Sequence, residues 1–552
     1  MADFLVPDAT DLDALAARFG EAGGLEPGPV GTVERTFYDT FDWRLWNAGY
    51  CLVGEPRGRR LGLRLEPRGE TEARRGPAPR VAATAPSVEL PARLRRLSTR
   101  AAAAPSFAWD LPPGALRSCL EPILEVRALL GQAALRCCSR PFAQRDEHGK
   151  IVLRLSLEQY ELLTVEGPRP AGIRARLLPL RGYAKPARQA ALRFEQQLGL
   201  ERAEEELLPS LLRLLGRTVG DYSAKLDVRL EPTLPAAEAV RCVLRQLDAT
   251  LMANLDGMLR DVDSEFLHDF RVAVRRTRTA LSRMRAVVPP GAARRFATGF
   301  RWLGQLTGPA RDLDVYLLCF DQYRDLLPAP LHEPFERLRG FLAEKRAEHR
   351  RELCQGLESA RGRKLLAEWS AWLAEPEPTH SRLPRARRPI ALVAREELWR
   401  IYRRALREGR AIHDGSLPSE LHELRKTCKK LRYLIEFFRS LCPPDDVARL
   451  LDELKALQQI LGDVQDLEVQ TASLMGYSVE MASEHDLPAA TLMAVGALVE
   501  QLRVRQLAAR QQFAAAFGRF SRPELRHLAR ASFKPVRAGE RPTLRPRPRG
   551  VG

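Results

Sequence analysis

HDFRVAVRRTR fills residues 268–278, and HELRKTCKKLR fills residues 422–432. Each opens on His, places Arg three residues on, sets two cations side by side at the seventh and eighth offsets, and closes on Arg at the tenth. Carried along the chain, the same 154-residue offset matches Leu267 with Leu421, Arg275 with Lys429, Arg285 with Arg439, and Pro289-Pro290 with Pro443-Pro444. It then carries LGQLTGPARDLDV, from Leu303, onto LQQILGDVQDLEV, from Leu457, pairing Gly308 with Gly462 and Asp312 with Asp466. A gap-free register from Leu267 to Val315 reads as a tandem duplication of a helical unit, giving two halves related by a pseudo-twofold.

At about 100° per residue, offsets of 3, 7 and 10 from the histidine fall on one helical stripe. His268, Arg271, Arg275 and Arg278 share it, Arg285 extends it, and Arg276 lies off it on the same side. His422, Arg425, Lys429, Arg432 and Arg439 repeat the arrangement, with Lys426 and Lys430 beside them. Carboxylates at i±4, which neutralise an ordinary solvated helix, are largely missing. Val272, Val274, Leu281 and Met284 fall on other faces, so each helix packs and still shows a cationic edge. A row of cations about 15 Å long repels itself unless an anion neutralises it. Guanidinium groups at one-turn spacing match a row of phosphates, and released counterions drive such binding. A surface helix with excess Arg is the plainer alternative, and the in-register second copy weighs against it. The histidines lack a His or Cys partner at i+4, so no metal site is expected. Asp312 is expected to pair with the stripe arginines and fix their rotamers.

The rest of the chain bounds this reading. It has 552 residues, 45% apolar, with 88 Lys and Arg against 70 Asp and Glu, a formal net charge of +18. That balance suits polyanionic partners, although a chain rich in Arg for other reasons shows it too. Nine scattered cysteines without a C-x-x-C pair predict free thiols in a cytoplasmic protein. No secretory signal and no run of 18 apolar residues is found, so no membrane association is expected.

Residues 1–220 read as mixed α and β. RTFYDT, GLRL, ILEVRALL and IVLRLSL are expected strands, and the stretch from Ala191 to Gly216 a pair of helices. Residues 68–94 read as a flexible insert, 221–235 as a linker, 236–533 as all-helical, and 534–552 as a basic, Pro-rich disordered tail. Helix breaks are expected at VVPPGA, LLPAPLHEP, EPEPTHSRLPRARRP, DGSLPSE and LCPPDD.

LHDFRVAVRRTRTALSRM and LHELRKTCKKLRYLIEFF, with TGPARDLDV and LGDVQDLEV, resemble the CHAD family, the conserved-histidine α-helical domains. The resemblance covers residues 236–533. It implies two tandem four-helix repeats whose basic residues face a central channel, binding of inorganic polyphosphate, and association with polyphosphate granules. The site it points to comprises His268, Arg271, Arg275, Arg276, Arg278, Arg285 and Arg311, with His422, Arg425, Lys426, Lys429, Lys430, Arg432 and Arg439. Gln465 stands where the first copy has Arg311.

FLVPDATDLDALAARFG and RTFYDTFDWRLWNAGYCL make the N-terminal region similar to the CYTH fold of triphosphate tunnel enzymes, a β-barrel or tunnel, so the fold class is α+β. The family's E-x-E-x-K strand is missing, and CLVGEP stands where L-R-x-R is usual. Glu158 and Glu161 show no evident partner. Two-metal phosphoryl chemistry needs several converging carboxylates, so this domain is expected to be degenerate and inactive, with Arg64, Arg127 and Arg154 as residual cations. The expected function is therefore non-enzymatic polyphosphate binding, without cofactor and without a specific nucleic-acid partner. The alternatives are a Mg²⁺-dependent inorganic triphosphatase and a generic binder of polyanions or nucleic acid. Aromatic side chains do not interleave with the cations as base-stacking platforms would.

Overall fold

The computed structural model describes residues 2–7, 10–68, 97–180, 182–375, 383–484 and 488–535. Apart from Arg68, the insert lies outside them, as does nearly all of the basic tail. The chain forms two compact units, 1–223 and 224–552.

In the first unit ten strands form one antiparallel sheet: β1 (Ala2–Val6), β2 (Glu26–Pro27), β3 (Gly31–Asp39), β4 (Tyr50–Arg57), β5 (Arg60–Pro67), β6 (Leu97–Ala101), β7 (Leu130–Arg145), β8 (Ile151–Thr164), β9 (Gly167–Pro179) and β10 (Glu201–Arg202). Their order is β10-β1-β9-β8-β7-β3-β4-β5-β6, with β2 also on β7. Among the described residues the sheet stays open, because no pairing joins β6 to β10; the closed barrel expected from the sequence is corrected to an open sheet. The unit remains consistent with a tunnel-type domain. Helices α1 (Leu12–Gly23), α2 (Arg44–Asn47), α3 (Ala115–Leu124), α4 (Ala184–Leu198) and α5 (Leu207–Leu214) complete it. Phe19 of α1 and Phe194 of α4 pack over Phe4, Leu155, Ala175 and Leu177 of one sheet face. Leu207, Leu208, Leu211 and Leu212 of α5 pack on the other, against Phe37, Leu135 and Tyr160. The expected strand ILEVRALL is instead the end of α3 and a turn, with Glu125 at φ +51°. Leu116, Cys119, Leu120 and Leu124, all buried, carry the three-and-four spacing that makes this stretch helical.

The second unit is helical. Its first half runs α6 (Ala236–Leu259), α7 (Ser264–Arg283), α8 (Pro290–Leu306), α9 (Gly308–Leu318), α10 (Phe320–Arg324), α11 (His332–Glu358) and α12 (Ala360–Ala374). The second half runs α13 (Ile390–Ala411), α14 (Pro418–Phe438), α15 (Pro444–Glu484), α16 (Ala489–Gln511), α17 (Phe513–Phe520) and α18 (Pro523–Phe533). Starts of α6 and α13, α7 and α14, and α8 and α15 each differ by the repeat offset of 154. Four of the sequence breaks fall at junctions between helices, and residues 376–382 of the remaining one, EPEPTHSRLPRARRP, lie outside the described residues. Four main helix positions per half, closed by shorter helices, make the two repeats.

The halves meet through equivalent residues. Pro235 bridges Pro389, its own counterpart. Around that bridge the Ala236 N–H donates to the Arg388 carbonyl (2.9 Å) and the Ile390 N–H to the Leu234 carbonyl (2.8 Å), a reciprocal pair. The Tyr316 hydroxyl donates to the carbonyl of its counterpart Gln470 (3.1 Å). These contacts mark a pseudo-twofold axis, with α7 packed against α14. One difference breaks the symmetry. α15 is a single 41-residue helix, whereas the first half splits at Thr307 into α8 and α9. Pro309 follows the split; it lacks the N–H that would continue the ladder, and its ring crowds the preceding turn.

Candidate polyanion site

Both cationic helices begin on capped turns. Asp263 accepts from the N–H groups of Glu265 (2.9 Å) and Phe266 (3.2 Å) at the start of α7. Pro418 is the first residue of α14, and Glu420 accepts from the Leu417 N–H (2.8 Å). Apolar faces then fix the rotation of each helix. Phe270, Ala273, Val274 and Leu281 of α7 are buried, as are Leu424, Cys428, Leu431 and Ile435 of α14. The remaining face of each is cationic.

At the centre lie Arg275 and its counterpart Lys429. Neither makes an ion pair among the described residues, and the buried Nε of Arg275 has no hydrogen-bond partner there. Lys429 is pushed down to about 8, by burial first and then by Arg425 and Arg275. Arg271 is pushed down to about 10, by burial and by Arg275 and Arg311, although Asp312 opposes this. Its Nη1 donates to the Gly304 carbonyl (3.2 Å) and to the Thr307 hydroxyl (3.0 Å), so it also holds the α8–α9 break. Arg425 reaches Asp466 at 2.6 Å, and its Nε is buried without a partner among the described residues. Asp312 and Asp466, again counterparts, lie near each other. The Asp312 carboxyl is raised by burial first, then by Asp466, against the opposing pull of Arg271, Arg311 and Arg275. Asp312 thus lies among the stripe arginines.

The histidines take supporting places. His422 is half-buried, with Nδ1 2.5 Å from Gln465 Oε1; His268 is half-buried at the matching position. Gln465 and Arg311 do equivalent work, since Arg311 ties α9 to the first turn of α7 through the Ser264 carbonyl (3.0 Å) and Glu265 (3.2 Å). Arg278 reaches solvent with part of its side chain; the enclosure of the rest, and Arg301, push it down. Arg432 pairs with Glu436 (2.7 Å). Arg285 and Arg439 lie beyond the ends of α7 and α14, exposed, with Arg439 held by Asp227.

Besides Arg285 and Arg439, three further predicted residues are not brought to this centre. Arg276 is 9% exposed, bound by Glu436 (2.8 Å) and the Ala224 carbonyl (3.0 Å), over the Tyr433 ring; it is a strut between helices. Lys430 and Lys426 lie to one side of Lys429 on α14 and meet other charges: Lys429 is flanked by Arg425, Arg275 and Asp466, and Lys426 pairs with Glu423. The charges acting on Lys430 are Arg404, Arg283, Lys426 and Glu423.

The family model of the CHAD domain matches residues 241–475, the span from the first turns of α6 to the last quarter of α15. Residues 241–475 are a CHAD domain. The crystal structure of the CHAD domain from the plant Ricinus communis is 25% identical, covers 53% of this chain and 94% of its own, and gives a TM-score of 0.45. PptA from Streptomyces chartreusis is 17% identical, covers 51% of this chain and 99% of its own, and gives a TM-score of 0.39. No curated protein matches the chain.

The N-terminal sheet holds charge of another kind. On the face that carries α5, Arg35 meets Glu55 (2.9 Å) and Glu158 (3.3 Å). Arg176 lies between Glu158 and Asp3 (3.5 Å to each), and Arg64 between Glu66 (2.7 Å) and Glu55 (3.5 Å). Glu158, expected to lack a partner, also accepts from the Tyr160 hydroxyl (2.5 Å), and Glu161 pairs with Arg136 (3.1 Å). Burial pushes the Glu158 carboxyl up, and Arg176 and Arg35 outweigh it, leaving the group below its ordinary value. These carboxylates do not fit a divalent-metal site, because each is already met by a guanidinium. Among the described residues no three His, Cys, Asp or Glu side chains gather to hold a metal ion. Of the residual cations, Arg64 joins this network, Arg127 is buried beside Asp42, and Arg154 is exposed on β8. Period-two alternation in RLGLRLEP and GIRARLLP is the signal that places Arg64, Glu66, Arg174 and Arg176 on one face.

Proposed function

We propose that the chain binds linear inorganic polyphosphate on the pseudo-twofold axis of its CHAD domain, without hydrolysing it, and that it works at polyphosphate granules in the cytoplasm. The CHAD domain as a family is linked to polyphosphate binding. The observation that carries the reading here is the meeting of Arg275, Lys429, Arg271 and Arg425 with too little countercharge. Such a cluster is costly alone and favourable beside a polyanion. Phosphate oxygens on one strand would satisfy the unpartnered guanidinium N–H groups of Arg275 and Arg425.

Hydrolysis is disfavoured by the ion-paired carboxylates of the sheet, and nucleic acid by the burial of Phe437 and Phe438 and by Arg276 lying over the ring of Tyr433, the other aromatic of α14. No helix of the described residues is long and apolar enough to cross a membrane. The test is binding of long-chain polyphosphate across a salt series, with RNA and tripolyphosphate as competitors and phosphate release with Mg²⁺ measured in parallel. Tight, salt-dependent binding that RNA displaces poorly, without release, is expected. Equal displacement by RNA makes the site a generic polyanion surface; release of phosphate makes the chain a triphosphatase.

A further inference from the structure

Lys429 and Lys430 are neighbours in sequence and part company in space. Lys429 faces the axis, and Lys430 faces α13. There a second group of cations gathers around one carboxylate. Glu397 is 3% exposed and meets Arg283 of α7 (3.2 Å), Arg385 (3.3 Å) and Arg400 of α13. Arg404, one turn beyond Arg400, pairs with Glu408, and Lys426, one turn before Lys430, pairs with Glu423. Lys430 has no ion pair among the described residues, and the buried Nε of Arg283 has no hydrogen-bond partner there. Arg407 continues the face formed by Arg400 and Arg404 and is exposed. Burial and the surrounding positive charge push both Lys430 and Arg283 down.

The duplication supplies a control within the molecule. Counterparts of Lys426, Arg400, Arg404 and Arg407 are Val272, Gln246, Thr250 and Ala253, and the counterpart of Lys430 is the buried strut Arg276. None of these repeats a free cation. α6 uses its own arginines internally, Arg241 on the carbonyls of Trp372 and Glu375 and Arg245 on that of Leu373. A cationic face on the first helix of the repeat therefore belongs to the second half alone. It is not required by the shared fold.

We propose that Arg283, Lys426, Lys430, Arg400 and Arg404 form a second phosphate-binding lane, one-sided, which takes the part of a long polyphosphate chain that projects beyond the axial site. It rests on the axial polyphosphate reading and adds a direction to it: the chain leaves the axis over α14 towards α13. Short oligophosphates fill the axis and leave the lane empty, so the lane selects for length.

The experiment compares binding of tripolyphosphate and of long-chain polyphosphate to the full chain and to R400Q/R404Q/R407Q. A charge-matched control, R351Q/R363Q/R503Q, removes three exposed arginines elsewhere. Expected is a loss of about tenfold for the long chain, with the salt slope falling by about 2 for three lost phosphate contacts on a single strand. Tripolyphosphate affinity and the control are expected to stay unchanged. R404Q/R407Q keeps the Glu397 ion pairs and should show the same pattern at smaller size, so a folding defect of the triple variant cannot mimic the result. Equal losses for both ligands, no loss for the long chain, or an equal loss in the control would overturn the lane. Absence of any polyphosphate binding by the unmutated chain would overturn the axial reading, and the lane with it.

Discussion

The sheet of the first unit and the axis of the second both concentrate arginine, and they do so in opposite ways. On the sheet, Arg35, Arg64 and Arg176 alternate with Glu55, Glu66, Glu158 and Asp3, and each of these three guanidinium groups meets a carboxylate. On the axis, Arg275 and Lys429 meet each other, and the two exposed acids nearby, Asp312 and Asp466, leave an excess of positive charge. Clustered charge therefore does not by itself mark a binding site. A closed network stabilises the fold, whereas an open one waits for a counterion of its own.

The largest effect should come from reversing the open centre. In R275E/K429E the two central cations become carboxylates at counterpart positions, facing any phosphate that enters. Polyphosphate binding, read by titration at fixed salt, is expected to fall by more than a hundredfold, since two reversed contacts each forfeit a charge-assisted interaction and add a repulsion. Unchanged affinity would break the comparison at its stronger end.

The closed network predicts the reverse pairing of outcomes. Glu158 to Gln leaves Arg35 and Arg176 with one carboxylate fewer in a largely enclosed site. Removing one partner of a buried ion pair costs about 3 kcal/mol, so thermal unfolding of the first unit should move down clearly. Polyphosphate affinity should not change. A stable variant with weakened binding would show that the sheet face also takes phosphate.

How far the sequence could reveal each region follows from the same contrast. The stripes of α7 and α14 are contiguous, so helical periodicity alone puts Arg271 with Arg275, and the repeat offset pairs each with its counterpart. The sheet network is assembled from β1, β3, β4, β5, β8 and β9, which only strand pairing brings together. Alternation places Arg64 and Glu66 on one face, and nothing local says that Arg35 and Arg176 will both reach Glu158. That is why Glu158 read as unpartnered. The parting of Lys429 from Lys430 was hidden for a related reason. A helical wheel separates them by about 100°, and only the position of α13 says what the second one faces. Pro309 was visible, yet its effect, splitting one repeat's long helix where the other's runs on, needed the aligned helix boundaries.

The smallest effect is one of pH, and it separates the open centre from any merely basic surface. Lys429 falls from 10.5 in an unstructured chain to about 8 in the folded one, through burial and its cationic neighbours. Folding therefore disfavours the ammonium, and stability of the unliganded protein should rise with pH between those two values. Binding acts the other way, since phosphate beside Lys429 favours the charged form and raises its pKa. Below about 8 the ammonium is present in both states, so pH has no leverage through this group. Above it, each molecule bound takes up a proton, and affinity should fall by up to about tenfold per pH unit until the bound form also titrates. Arg271, at about 10, lies above most of that window. K429R keeps the charge and removes the titration, so its affinity profile should run flat where the unmutated chain declines, and its proton uptake, measured by calorimetry in buffers of different ionisation heat, should vanish. Parallel profiles would mean that Lys429 stays away from the bound phosphate and that the charge reversal acted at a distance.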